Sequence, residues 1–160
     1  MNTINFLKKI KKEGKLELVN PSEEMKQAYI VKSESNLISA KILLTSNRLE
    51  EAVGLAYYSM YHLLTALLFK IGIKSENHSI SIILLKEVFN ESNEEIFKAK
   101  TERIDKQYYV DFKITNEDVM DTIRKAEVFN SKLTDFISRL NHEDIELCRN
   151  KFMDLIKDWL

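Results

Sequence analysis

The sequence predicts an all-α protein: an antiparallel bundle of about five helices on a four-helix up-and-down core. Three observations predict it. Three glycines and one proline in 160 residues leave almost no turn punctuation for an all-β fold. Apolar residues recur at three- and four-residue spacing through several long segments. The stretches between those segments are a few residues long, which favours antiparallel neighbours. Apolar residues make up 44% of the chain, enough for one sizeable core, and the length is that of a single domain.

Residues 1–19 read as a basic N-terminal arm and residues 20–160 as the bundle. The arm holds Lys8, Lys9, Lys11, Lys12 and Lys15 against Glu13 and Glu17, a net of +3. It is expected to be solvated and to dock through Phe6, Leu7 and Ile10. Asn20-Pro21-Ser22-Glu23 is a helix start: Asn to cap, Pro at the first helical position, Glu to complete a capping box. The first helix should span Pro21 to Ser46, with Met25, Ala28, Tyr29, Leu37, Ala40, Leu43 and Leu44 on its apolar side. The second should span Leu49 to Ile71, with Gly72 ending it in the left-handed conformation. A loop over Ile73 to Asn77 leads to a third helix, Ser79 to Phe89. Ser92-x-x-Glu95 resembles a capping box for a shorter polar helix, Glu94 to about Ile104. Gln107 to Thr115 is β-branched and aromatic, which suits an extended connection. Thr115-x-x-Asp118 opens a helix to Leu140, whose stripe is Val119, Ile123, Ala126, Phe129, Leu133 and Phe136. Asn141-x-x-Asp144 opens the last, with Leu147, Phe152, Leu155, Ile156 and Trp159 facing inward.

From Ala52 to Phe69 there are 18 residues without formal charge, the lower bound for a spanning helix. Tyr57, Tyr58, Tyr61 and His62 lie in its middle, whereas membrane tyrosines prefer the interfaces. A helix buried on most sides of a bundle explains the run better, and no membrane association is expected. With no export or anchoring signal, the expected location is the cytoplasm. With 24 basic against 25 acidic residues, no polyanion-binding field covers the whole surface. A lone Cys148 excludes an internal disulfide and a cysteine zinc cluster.

Common catalytic signatures fail. The glycines are too scattered for a phosphate loop, and no Gly-x-Ser-x-Gly elbow exists. A di-iron bundle needs Glu three residues before His, but His62, His78 and His142 follow Ser59, Ser75 and Arg139. No catalytic residue, metal site or cofactor is therefore assigned. What remains is a polar-aromatic cluster. Tyr58 and His62 share one helix face at i, i+4, as do Tyr57 and Tyr61. Such rings either fill a helix interface and bond through their polar tips or wall a cleft that stacks a base. His78 sits at a helix start, where the dipole disfavours its cation. Lys98, Lys100, Arg103 and Lys106, with Tyr108 and Tyr109 beyond, form either a solvated face or a grip for phosphates with stacking rings.

Several of these pieces together resemble the HEPN domain family. They are Ala40-Lys41-Ile42-Leu43-Leu44, Arg48-Leu49-Glu50-Glu51-Ala52-Val53, Ala56-Tyr57-Tyr58-Ser59-Met60-Tyr61-His62 and Ala66-Leu67-Leu68. His78-Ser79 before Phe89, then Arg103, Gln107-Tyr108-Tyr109, Ala126 and Phe129, continue the likeness, and Glu13-Gly14-Lys15-Leu16 resembles the lead-in of a small stand-alone branch. The resemblance implies a bundle that commonly dimerises and binds nucleotides or RNA. Many prokaryotic members are encoded beside a minimal nucleotidyltransferase and pair with it. Some members are metal-independent ribonucleases of toxin or defence systems that use an Arg-x(4–6)-His motif. Here Arg149-Asn150 resembles the start of that motif, but Asp154, Leu155 and Ile156 stand where His would fall. The acid/base group is missing from its expected place. The expectation is a non-catalytic nucleotide- or RNA-binding module, or a partner of a minimal nucleotidyltransferase. Its ligand-binding residues would be Tyr57, Tyr58, Tyr61, His62, His78, Arg103, Lys106 and Tyr108. The alternatives are a ribonuclease with a displaced site, using His78 or His142 with Arg103, and a dimeric scaffold without ligand.

Overall fold

A long uncharged helix has no polar face to give to water, so it has to be covered from every direction. The computed structural model describes residues 9–10, 12–108 and 113–158, and their side chains except at 106–108 and 158. Phe6, Leu7, Trp159 and residues 109–112 lie outside the described residues. In chain order the elements are β1 (Leu16–Leu18), α1 (Glu23–Thr45), α2 (Leu49–Ile71), β2 (Ile73–Ser75), α3 (His78–Glu87), α4 (Glu94–Tyr108), α5 (Asn116–Arg139) and α6 (His142–Asp158). Helix α2 packs against each of the other five described helices. Fifteen of its 23 residues are buried. It is also the described helix long and apolar enough to cross a bilayer, yet 78% of its most apolar window is buried inside the protein.

The four-helix core is α1, α2, α4 and α5, with α3 and α6 closing its ends. Tyr29, early in α1, stacks on Phe69, late in α2, so the two helices run antiparallel. Their contact is made through small residues: Ser33 and Ala40 of α1 are buried, as are Ala52, Ala56 and Ser59 of α2. Met25 and Ala28, expected inside, are exposed, because the face of α1 that meets α2 is centred on Ser33 and Ala40. On α5 the stripe Val119, Ile123, Ala126, Phe129 and Leu133 is buried as the spacing predicts, and Ile137 rather than Phe136 completes it. On α6, Phe152 is fully buried while Leu147 is 67% exposed.

Local signals set most of the helix ends. Thr115 and Asp118 form a reciprocal capping box, and Asn141 and Asp144 bond each other the same way. Gly72 ends α2 at φ 80°. Three starts differ from the sequence reading. Ser22, not Asn20, caps α1, accepting from Met25 N at 3.1 Å. The backbone explains it: Val19 N donates to Gly72 O and Ser22 N to Phe69 O, which holds Asn20 and Pro21 against the end of α2. Helix α3 begins at His78 with Asn77 as its cap. Ser92 Oγ accepts from Glu94 N rather than closing a box with Glu95. Helix α4 runs on through Gln107 and Tyr108, which were expected to be extended.

The loop expected over Ile73 to Asn77 contains β2, which pairs antiparallel with β1: Leu16 opposite Ser75, Glu17 opposite Lys74, Leu18 opposite Ile73. The ribbon seats Leu16 and Ile10, both buried. Gly72 is its hinge. A Cβ there would lie 2.2 Å from Arg149 Nη1, 2.3 Å from Val19 O and 2.8 Å from Pro21 N. Two of those neighbours are backbone, so Gly72→Ala adds a clash to left-handed strain. It should cost about 3 kcal/mol and lower the melting temperature by about 6–12 °C. Gly14→Ala, also at positive φ but with its nearest neighbour 3.5 Å away, should cost about 1 kcal/mol. Equal losses in the two variants by thermal denaturation would contradict the packing described around Gly72.

Candidate functional site

The polar-aromatic residues of α2 repeat every three to four positions, so they fall along one side of the helix. That side faces the N-terminus of α3 and the middle of α4. Tyr57 is fully buried, and its hydroxyl lies 2.8 Å from His78 Nδ1. Tyr61 stacks on the His78 ring with centroids 3.7 Å apart. Tyr58 stacks on His62 and meets His78 edge-on. Arg103 reaches across from α4: its guanidinium lies 5.3 Å from the Tyr57 ring and 5.4 Å from the Tyr58 ring, and Nη1 donates to the Tyr58 hydroxyl at 3.4 Å. On the other flank Asn36 Nδ2 donates to His62 Nδ1 at 2.8 Å. Beside these rings a groove of about 230 Å3 is lined by Tyr29, Tyr61, His62, Phe69 and the Lys74–Glu76 pair, among others.

Of the expected site residues, Tyr57, Tyr58, Tyr61, His62, His78 and Arg103 are thus brought together. The side chains of Lys106 and Tyr108, and all of Tyr109, lie outside the described residues. Of the basic run, Lys100 turns inward and bonds Ser79 Oγ, while Lys98 is exposed beside Glu95. Sequence reasoning missed Asn36, Lys32 and Ser79. Nothing in the spacing of α1 marks Asn36, which depends on the α1–α2 register. His142 is exposed at the first residue of α6 and makes no ring contact with this cluster. Among the described residues no three His, Cys, Asp or Glu side chains converge as a metal site would need.

The electrostatics are one-sided. Arg103 and Lys100 form no ion pair with a described carboxylate, and Arg103 Nε is buried without a hydrogen-bond partner among the described residues. The neighbouring Glu102 is turned away and accepts from Thr122 on α5. Burial, then Arg103 and Lys100, push His78 down to about 4. Burial, then Lys32 and His78, push His62 down to about 4. Both rings are neutral at pH 7, as the helix-start argument expected for His78, but burial is the first cause rather than the dipole. Burial also raises the Tyr57 and Tyr61 phenols, so both stay protonated as hydrogen-bonding groups. Burial and Arg103 lower Lys100.

Arg149, the start of the nuclease-like motif, is occupied elsewhere. Its Nη1 donates to Ile71 O at 2.7 Å and Val19 O at 2.9 Å. It therefore caps the carbonyl end of α2 and ties it to Val19, the residue that follows β1. Asp154 is exposed beside Lys157, and Leu155 and Ile156 pack on the core.

The histidines make stability depend on pH, with a definite sign. Below about pH 6.5 the unfolded chain takes up protons that the folded rings refuse until about pH 4. Stability present above that window falls as the pH falls through it, by at most about 1.4 kcal/mol per pH unit for each histidine. Urea unfolding of the wild type between about pH 7 and pH 5 should show this slope, and His62→Gln or His78→Gln should each flatten it. Unchanged slopes in both variants would mean that the rings are not held neutral.

Among curated proteins none matches the sequence. The HEPN domain family profile matches residues 26–136, from the first turn of α1 to near the end of α5. That span contains the whole tyrosine–histidine–arginine cluster and most of the bundle. An all-α bundle around an Ala-Tyr-Tyr-Ser-Met-Tyr-His core helix agrees with it, and the chain belongs to the HEPN domain family.

Proposed function

We propose that this HEPN protein is a non-catalytic module that binds RNA or a nucleotide in the crevice lined by Tyr61 and His62, with Tyr58, His78 and Arg103 beside it and Tyr57 buried behind them. The alternative role for the same non-catalytic module is as the partner of a minimal nucleotidyltransferase, in a toxin–antitoxin or defence setting; in either role it would act as a homodimer. The observation that carries the reading is the guanidinium of Arg103. It lies over two tyrosine faces with a buried N–H that no described group accepts. A buried donor on a cation is costly to leave unmade, which marks the site as unsatisfied; a phosphate oxygen would meet the Nη end of the fork, since Nε itself is shielded from solvent. Lys100 adds a second cation, and Tyr58 and His62 offer ring faces on which a base stacks.

The ribonuclease reading rests on His78 standing beside these cations, where it could meet a phosphodiester. Against it, His78 Nδ1 is taken by Tyr57, and a group titrating near 4 carries almost no proton to donate at pH 7. His142, the other candidate, is exposed away from the cluster's rings.

Binding of a fluorescein-labelled single-stranded RNA, read by anisotropy at low salt, tests the proposal. Tyr58→Ala should weaken it about 5- to 100-fold with unchanged far-UV circular dichroism. Arg103→Met should weaken it and reduce the salt slope by about 0.7. No binding, or binding indifferent to both changes, would place the site elsewhere. Cleavage of mixed RNA that His78→Ala or His142→Ala abolishes would establish the enzyme instead.

A further inference from the structure

A second groove, of about 460 Å3, runs along α5 where it meets the α3–α4 turn, and it shares no lining residue with the crevice above. Its volume is that of a site for a drug-sized molecule. Its floor is apolar: Leu85, Phe129 and Leu133 are buried beneath it, and Val128 stands 51% exposed at its mouth. An apolar side chain held half in water beside a cavity gains from a covering group.

The charges on the rim are unequal in kind. Arg124 and Lys132, one turn before and one turn after Val128 on α5, form no ion pair among the described residues. Lys125 is held by Asp121 at 2.8 Å. Across the groove Glu95 lies 3.7 Å from Lys98, which leaves Glu91 as the carboxylate on that wall without a described ion pair. Two free cations therefore flank the apolar floor on one side. A polyanion laid along the groove would meet Glu91 and Glu95, whereas one anionic head placed on the α5 side would not.

We propose that this groove binds an amphipathic organic anion. Its apolar body rests on Leu85, Val128, Phe129 and Leu133, and its carboxylate, sulfonate or phosphate head sits between Arg124 and Lys132. The contacts balance: the body covers Val128 and the head neutralises two cations, while the body itself carries no charge toward Glu91.

The probe is 1-anilinonaphthalene-8-sulfonate, an aromatic body with one sulfonate, titrated by fluorescence against the full chain. Saturable binding at one site per chain is expected. The double variant Arg124→Glu/Lys132→Glu, at exposed positions, should weaken it about tenfold or more. Val128→Glu should do the same. The uncharged analogue N-phenyl-1-naphthylamine should bind the wild type and the double variant alike. Tyr58→Ala should leave the probe's affinity unchanged, which separates this site from the RNA crevice. Fluorescence that never saturates, or that neither groove variant alters, would overturn the proposal. Displacement of the probe by an RNA oligonucleotide would assign the groove to a polyanion. Loss of a dimer on Val128→Glu, read by sedimentation, would assign it to a second copy of the chain.

Discussion

Most of helix α2 is buried, yet it carries hydroxyl and imidazole groups that are largely withdrawn from water. A polar group taken out of water without a partner costs about 1–3 kcal/mol in proteins. Each of these groups has therefore found one, and the partners come from four different helices. Ser59 O accepts from Ser33 of α1, and Ser59 Oγ accepts from Asn130 of α5 at 2.7 Å. His62 is met by Asn36 of α1, Tyr57 by His78 of α3, and Tyr58 by Arg103 of α4. Apolar burial supplies most of the driving force but is tolerant of sliding and rotation. The polar bonds are not tolerant, so they fix which turn of each helix faces which turn of α2.

The same requirement shapes the crevice. Ser59, Tyr58 and His62 each meet a donor from another helix. The donors brought by α4 exceed what α2 can satisfy: among the described residues Arg103 keeps a buried N–H without an acceptor, and Lys100 bonds Ser79. A site with two half-buried cations and no described carboxylate paired to them is locally unfavourable, and it is rendered tolerable by the two histidines staying neutral. Protonating either ring would add a third positive charge beside Arg103 or Lys32. Places where a fold departs from local satisfaction are where function is expected. That imbalance, rather than the tyrosines alone, distinguishes the cluster from an ordinary packed interface.

How much of this was legible in the sequence follows from the range of each interaction. Leu49–Ile71 and Gly72 could be read because an uncharged run followed by glycine is a local signal. The caps at Thr115 and Asn141 were legible for the same reason. The grouping of Tyr57, Tyr58, Tyr61 and His62 needed only the helical repeat. The ribbon of Leu16–Leu18 with Ile73–Ser75 was invisible, since two three-residue strands far apart in sequence carry no periodicity. That ribbon is also what moved the cap of α1 from Asn20 to Ser22, so one hidden long-range contact produced a second, local error. Asn36 and Ser79 were missed because they depend on how helices dock, which no single segment encodes.

Arg149 shows how a residue's chemistry is decided by what surrounds it. An arginine six residues from a histidine on α6 would hold its guanidinium beside an imidazole. In this chain the later positions are Asp154, Leu155 and Ile156, and the last two are used for packing. The guanidinium instead points at the end of α2, where the final carbonyls lack helical partners and carry partial negative charge. There it also bonds Val19 O, just past the end of β1. Such a cap holds only if the turn between them is narrow, and the turn is narrow because position 72 has no Cβ. Arginine, glycine and ribbon thus form one structural unit at the end of α2, while the cations of the crevice come from α4. The residue that resembles the start of a nuclease motif is spent on holding the core helix in place.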